Sequence, residues 1–191
     1  NIFTNLKKNT LPLAALGIPE KVVNSNSKMA KSSSDFCEKI AEFSKKFSTK
    51  NPYKFFKILC EGDGSKRLPI KLPKDGEPVF FPKTDTVIGV IGLSCLGKPI
   101  KETLFRYELL PNLTSLDNYF IKSLQSADIV TTDFLYRLCL SEKGLRKNIT
   151  SQKFCIIFNQ ADILDEKALA EVITLRNQLQ TKGICPHIIS V

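Results

Sequence analysis

The residues best suited to chemistry follow the apolar run Phe55–Cys60. Glu61, Asp63 and Ser65 stand directly after that run, separated by glycines. The run predicts a buried strand, and an acid at the end of such a strand can hold Mg²⁺ directly or through water. Asp63 is therefore a candidate metal ligand. A simple Asp–Gly turn without chemistry explains the same residues and stays open as the alternative.

A second candidate is the segment Gly92–Lys98, which matches the spacing G-x-x-x-x-G-K of a phosphate-binding loop. Position 99 is proline where that loop needs serine or threonine. Pro99 offers no hydroxyl for Mg²⁺ and no backbone N–H for phosphate. The segment is thus one residue short of the signature, with Lys98 as its candidate cofactor-binding side chain.

A third candidate is the tetrapeptide Asn159-Gln160-Ala161-Asp162, which follows the apolar run Lys153–Phe158. It resembles the N-K-x-D element of GTPases, in which the aspartate accepts hydrogen bonds from the guanine edge and the asparagine braces the loop. Gln160 replaces the lysine. The alternative is a turn in which Asp162 caps the following helix.

Alternating strands and helices are expected to position these groups. Short apolar runs predict strands at Phe55–Cys60, Thr86–Leu93, Lys153–Phe158 and Pro186–Val191. Apolar spacing and capping residues predict helices at Ser34–Phe47, Tyr119–Leu124, Phe134–Leu140 and Asp165–Lys182. Thr86–Leu93 is apolar on both faces, which favours a central strand. This order predicts an α/β fold with a mostly parallel sheet flanked by helices.

The chain of 191 residues suits one domain. We predict a basic amino-terminal segment, residues 1–50, with one amphipathic helix, and an α/β core over residues 51–191. Residues 1–60 hold 11 lysines against 4 acids, within a net charge of +9. Such a surface could meet RNA, phosphate or an anionic partner, or simply be solvated. Nucleic acid is not expected, because the lysines are dispersed and lack an aromatic–arginine platform.

The cysteine and histidine content argues against several classes of protein. None of the six cysteines forms C-x-x-C, and the chain has a single histidine, His187, in its last apolar run. This pattern favours reduced thiols in a cytoplasmic protein over a disulfide framework, a zinc site or a serine–histidine–aspartate triad. No apolar run approaches the ~20 residues of a membrane span. The oligomeric state is not indicated.

Several longer segments together resemble the YqeC family of selenium-dependent hydroxylase accessory proteins. The resemblance is carried, in order over about residues 54–191, by DGSKRLPIKLPKDGEPVFFPKTD, TVIGVIGLSCLGKPI, LFRYEL and FNQAD. It implies a P-loop NTPase-like fold and a role in maturing selenium-dependent molybdenum hydroxylases. Its implied partners are such a hydroxylase or the proteins that assemble its cofactor.

The resemblance also implies which residues meet a ligand. Carried over by position, Glu61, Asp63, Gly64 and Ser65 face a purine nucleotide or its Mg²⁺, with Asp63 and Glu61 as the candidate catalytic residues. Phosphate or anion contacts are implied for Lys66, Arg67, Lys71 and Arg106, and base contacts for Asn159 and Asp162. The cofactors would be Mg²⁺ with ATP or GTP.

The same family explains the near-match at Gly92–Lys98. Its phosphate loop, a G-K-T-T element, precedes the D-G-S segment, and G-L-x-x-L-G-K-P is a separate feature that keeps its proline. This sequence contains no G-K-T or G-K-S, so the phosphate loop is expected upstream of Asn1 or not at all. Hydrolysis of a nucleotide is therefore left open.

The alternative function is a non-hydrolysing module that holds a partner or an anionic cofactor with its basic surface and the proline-rich loop 66–83. The thiol of Cys95, placed in a loop, is a conceivable selenium carrier.

Overall fold

The computed structural model describes residues 61–81, 84–113 and 128–190, together with Glu42 and two short paired strands. Its contacts divide the chain into two units, Asn1–Ile58 and Leu59–Val191. In the first unit, β1 (Ile18–Pro19) pairs antiparallel with β2 (Met29–Ala30).

Three predicted elements lie outside the described residues. They are the strand Phe55–Cys60, the helix Tyr119–Leu124 and, apart from helical Glu42, the helix Ser34–Phe47. The single-domain organisation stays a prediction.

The second unit is a mixed α/β structure with parallel sheets flanked by helices, as predicted. Its strands are β3 (Ile70–Lys71), β4 (Thr86–Gly92), β5 (Leu104–Phe105), β6 (Lys153–Asn159) and β7 (Cys185–Ile188). Its helices are α1 (Ile100–Thr103), α2 (Thr132–Leu140) and α3 (Glu166–Thr181). Strands β4, β6 and β7 form one parallel sheet in the order β4-β6-β7, and β3 pairs parallel with β5.

The two longer helices begin where the sequence predicts. The Thr131 hydroxyl accepts a hydrogen bond from the backbone N–H of Phe134, and the Asp165 carboxylate accepts one from Ala168 at 2.7 Å. Each side chain thereby satisfies an otherwise unpaired N–H in the first turn. Helix α3 ends just before Gly183, whose φ of +76° is the left-handed conformation that glycine adopts without strain.

The core lies on one face of the three-stranded sheet. Ile91, Ile156 and Phe158 are fully buried on that face, where Leu175 and Leu179 of α3 are also buried. On the opposite face, Ile88 is 44% exposed and Val90 57% exposed. This exposure differs from the expectation that Thr86–Leu93 is a central strand, because β6 is the central one among the described strands of this sheet.

Within the described segments, no helix combines the length and apolar composition that a bilayer crossing requires.

The chain turns sharply after α2, and the turn needs a glycine. The helix ends at Leu140, and the Ser141 hydroxyl accepts hydrogen bonds from the N–H groups of Lys143 and Gly144. A Cβ atom on Gly144 would lie 2.7 Å from the carbonyl oxygen of Leu138. That is closer than van der Waals contact allows, so a side chain here must displace backbone.

We therefore expect Gly144→Ala to lower the free energy of unfolding by ~1–3 kcal/mol, the usual cost of overpacking. Gly89→Ala in β4 is the matched control, since its Cβ would meet neighbours at an ordinary 3.5 Å or more. Urea unfolding of both variants measures the difference. Equal stabilities of the two variants would show that the turn relaxes freely.

Candidate functional site

The D-G-S segment leads into a tight turn that carries two exposed cations. The N–H of Leu68 donates to the carbonyl of Ser65 at 3.0 Å, and the Ser65 hydroxyl donates to the carbonyl of Leu68 at 2.7 Å. The two central residues, Lys66 and Arg67, have φ of +51° and +65°. Left-handed backbone costs a non-glycine residue ~1–2 kcal/mol. The Ser65–Leu68 turn is thus a strained loop that presents basic side chains to solvent.

Pairing between β3 and β5 brings distant basic residues to one aromatic ring. Lys71 lies opposite Phe105 in the parallel register. The charged groups of Lys66, Lys71 and Arg106 lie 5.2, 5.5 and 4.9 Å from the centroid of the Phe105 ring. Cations within ~6 Å of a ring are attracted by its electron-rich face. Phe105 therefore gathers three of the four cations predicted to contact an anion.

A nearly buried carboxylate joins this cluster. Glu77 is 8% exposed, and Arg106 donates from both terminal nitrogens to its two oxygens, one of them at 3.0 Å. The ammonium of Lys71 lies 3.0 Å from Glu77, contacts the Asp63 carboxylate and donates to the Gly64 carbonyl at 2.8 Å. Asp63, Lys71, Glu77 and Arg106 form a continuous chain of alternating charges, here called the ion network.

The ion network sets the protonation of its central acid. The hydrogen bond from Arg106 is the largest cause that lowers the pKa of Glu77, and burial alone would raise it. Together with the hydrogen bond and charge of Lys71, Arg106 brings this pKa from 4.5 to about 2. The Glu77 hydrogen bond in turn raises the pKa of Arg106. Glu77 is therefore ionised at neutral pH, and it offsets charge on Arg106 and Lys71 that would otherwise face an external anion.

The proline-rich loop that carries Glu77 is fastened to the turn after α2. The Lys147 ammonium donates to the Lys74 carbonyl at 2.8 Å, and the Asn148 side-chain amide donates to the Pro78 carbonyl at 3.1 Å. These contacts join residues 70 or more positions apart in sequence. The loop is consequently a fixed part of the second unit in the residues that the structure describes.

The D-G-S segment also meets the carboxyl ends of two strands of the larger sheet. The N–H of Gly92 donates to the Pro69 carbonyl at 2.9 Å, and Gly92 lies opposite Asn159 in the register of β4 and β6. A Cβ atom at Gly92 would come within 2.9 Å of the Gln160 side-chain oxygen and 3.0 Å of Pro69. Glycine thus permits close approach where three predicted motifs converge. In open α/β sheets this edge is where ligands bind.

At the end of β6, the predicted base-binding residues lie in a turn. The Asn159 side-chain oxygen accepts a hydrogen bond from the N–H of Gln160 at 2.8 Å, which braces the loop. Gln160 has φ of +67°, and the exposed Asp162 lies in the short 3₁₀ helix Ala161–Ile163. Asp165, and not Asp162, caps α3. The contacts of Asn159 and Asp162 with a base stay predictions.

The segment Gly92–Lys98 does not form a phosphate cradle. It turns through the 3₁₀ helix Leu93–Cys95, and the N–H groups of Leu96, Gly97 and Lys98 donate to the carbonyls of Leu93, Val130 and Cys95. These N–H groups are thereby satisfied within the protein and are not directed at a ligand. The Lys98 side chain is exposed, and its contact with a cofactor stays a prediction.

The thiol of Cys95 is unsuited to carrying selenium. Cys95 is fully buried, and burial raises the pKa of its thiol to about 12. A buried neutral thiol is a poor nucleophile. Cys95 does lie in a turn between β4 and α1, but this 3₁₀ turn directs the side chain into the core.

Two residues of the site are missing from the sequence prediction. Glu77 was visible only as part of the E-P motif, and Phe105 only as the neighbour of Arg106. A lone acid in a basic, proline-rich loop is the available signal, since such an acid needs a cationic partner once it is buried.

A family comparison agrees with these features. The model of the YqeC protein family matches residues 8–108, just over half of the chain. The chain belongs to the YqeC family. The match includes Asp63, Lys71, Glu77 and Arg106, so the complete ion network lies inside the YqeC region. The matched region begins before residue 54, where the resemblance seen in the sequence begins, and it ends before Asn159. No curated protein and no solved structure matches the chain significantly.

Removal of the central charge of the ion network should be costly. We expect Glu77→Gln to lower the free energy of unfolding by ~3 kcal/mol at neutral pH, because Arg106 and Lys71 would lose their shared counter-ion in a buried setting. Asp75→Asn is the matched control: this neighbouring acid is fully exposed, 3.6 Å from Lys147, and its removal should leave the stability essentially unchanged.

The stability difference should also depend on pH in a defined direction. The folded-state pKa of Glu77 is depressed, so its contribution is complete above pH 4.5 and lost as the pH falls towards about 2. The difference in free energy of unfolding between wild type and Glu77→Gln should therefore become smaller as the pH falls through that range. Urea unfolding at a series of pH values measures this difference. A difference in free energy of unfolding that does not change with pH would contradict the depressed pKa of Glu77.

Proposed function

We propose that this YqeC-family protein is an accessory factor in the maturation of selenium-dependent molybdenum hydroxylases, and that it binds a purine nucleotide with Mg²⁺. Family membership supports the accessory role. The observation that carries the proposal is the convergence at Gly92. There the D-G-S segment, through Pro69, meets the carboxyl ends of β4 and β6. A sheet edge of this kind is the usual ligand site of α/β proteins.

The charges near this edge suit an anion accompanied by a metal ion. Exposed Lys66 and Arg67 supply positive charge that can contact phosphate oxygens. Asp63 and the exposed Glu61 supply carboxylates for Mg²⁺. Asp63 is paired with Lys71, so binding of Mg²⁺ at Asp63 requires the ammonium to shift towards Glu77 or the phosphate. In this proposal Asp63 and Glu61 act on the metal, and Asn159 and Asp162 face the base.

Nucleotide binding can be tested by titrating the natural full-length protein with ATP and GTP, each with Mg²⁺ and with a chelator. We expect binding that requires Mg²⁺ and that Asp63→Asn weakens by on the order of tenfold, the value of one charge-assisted contact. Asp75→Asn, in the same region but exposed, should bind like wild type. Failure of both nucleotides to bind would overturn the nucleotide part of the proposal.

Strain in the Ser65–Leu68 turn offers a second test. Asparagine tolerates left-handed backbone better than lysine does, but Lys66→Asn also removes the contact of the ammonium with the Phe105 ring. We therefore expect little net change in the free energy of unfolding, while nucleotide binding weakens several-fold. Lys143→Asn is the matched control, because it removes an exposed charge from a turn residue without positive φ. A folded Lys66→Asn variant that binds the nucleotide as wild type does would show that Lys66 contacts no ligand.

A second function is favoured by the satisfied backbone of Gly92–Lys98 and by the hydrogen bonds that hold the proline-rich loop at Lys74 and Pro78. A fixed, basic loop suits a module that holds a hydroxylase, a protein of its cofactor assembly or an anionic cofactor without hydrolysis. Turnover assays separate the two functions. Release of phosphate by the wild type, reduced in Asp63→Asn, supports the first, whereas salt-sensitive binding of a purified hydroxylase without nucleotide supports the second.

A further inference from the structure

Three donor groups outside the ion network come together on the open face of the larger sheet. Cys155 in β6 lies directly opposite Cys185 in the parallel register of β6 and β7. His187 follows Cys185 by two positions, which returns its side chain to the same face of the strand. The two Sγ atoms and one imidazole nitrogen all lie within 4.8 Å of one another.

The distances suit a tetrahedral metal ion. Cys185 Sγ lies 3.4 Å from His187 Nε2. Zn–S bonds of ~2.3 Å and Zn–N bonds of ~2.0–2.1 Å at a tetrahedral angle place sulfur and nitrogen about 3.5 Å apart. Small rotamer adjustments of the cysteines would bring both sulfurs to bonding distance. The geometry without metal is also that of a thiol–imidazole hydrogen bond, so the protein can hold the donors together before an ion arrives.

We propose that Cys155, Cys185 and His187 form a binding site for a thiophilic divalent cation, Zn²⁺, with water as the fourth ligand. Two thiolates and a neutral imidazole are a donor set that zinc prefers over oxygen-seeking ions such as Mg²⁺. On binding, each thiol loses its proton to solvent while the two Zn–S bonds form. The two thiolate charges then balance the charge of the ion.

Burial and accessibility support the same assignment. Cys185 and His187 are exposed and Cys155 is half-buried, so the ion has a path from solvent. By contrast, Cys95 and Cys139 are fully buried and have no such path from solvent.

This site is separate from the candidate nucleotide site. Cys155 precedes Asn159 by four residues of β6, or ~13 Å along the strand. All three donors also lie outside the region that matches the family model. Experiments can therefore disprove zinc binding without disproving nucleotide binding, and the reverse. The sequence argued against a zinc site because the donors lack C-x-x-C spacing; the register of two strands brings them together instead.

The test uses reduced, metal-free protein, titrated with Co²⁺ as a spectroscopic probe and with Zn²⁺ against a chromophoric chelator. We expect one equivalent of metal, thiolate-to-cobalt charge-transfer absorption, release of protons, and an increase in thermal stability with Zn²⁺. Cys185→Ser and His187→Gln should weaken binding by more than the ~10–100-fold typical of losing an outer-shell partner. Both residues are exposed, so the substitutions should leave the core folded.

Cys95→Ala is the matched control, since it removes a thiol elsewhere and should bind one equivalent as wild type does. Binding that Cys185→Ser and His187→Gln leave unchanged would overturn the proposal. Reduced wild-type protein that binds no metal would also overturn it, even if Cys155 and Cys185 form a disulfide after the reductant is removed in air. Affinity that falls as the pH is lowered, with protons competing for sulfur and imidazole, would support it.

Discussion

The second unit of this protein depends on the charge of one buried side chain, the carboxylate of Glu77. An ionised acid is costly to bury unless cations and hydrogen-bond donors surround it. Arg106 and Lys71 meet that requirement, and each belongs to a different strand or strand end. The carboxylate thus joins the proline-rich loop to the β3–β5 pair. The depressed pKa of Glu77 shows that the surrounding charges and hydrogen bonds favour its ionised form.

The same constraint explains why basic residues crowd together nearby. Lys66, Lys71 and Arg106 would repel one another around Phe105 without acids between them. Glu77 and Asp63 offset two of these charges, which leaves the exposed end of the cluster, at Lys66 and Arg67, with a net positive charge. An anion would therefore be attracted to the strained turn first. Backbone strain at exposed basic residues is typical of functional loops, although strain alone does not identify a ligand.

Sequence patterns predicted the α/β class and the positions of β4, α2, β6, α3 and β7 with shifts of a few residues. These elements have strong periodicity and clear capping residues, such as Thr131 and Asp165, so local chemistry fixes them. The site was less predictable. The ion network depends on β3 pairing with β5, two strands of two residues each whose pairing no local pattern indicates. The same holds for Cys155 and Cys185, which meet only through strand register.

Parallel pairing explains why the two proposed sites occupy one sheet without sharing a residue. In a parallel sheet all carboxyl ends lie at one edge, so Gly92 and Asn159 meet there regardless of what the strand interiors carry. Side chains inside the strands alternate between faces, which sends Ile156 and Phe158 into the core and Cys155 to the open face. A ligand at the edge contacts loops, whereas a metal on the open face contacts the strands themselves. The β6 strand contributes to both, with Asn159 at its end and Cys155 near its start. An ion that fixes β6 against β7 would therefore also restrict the position of Asn159, and this is the physical route by which one site could influence the other.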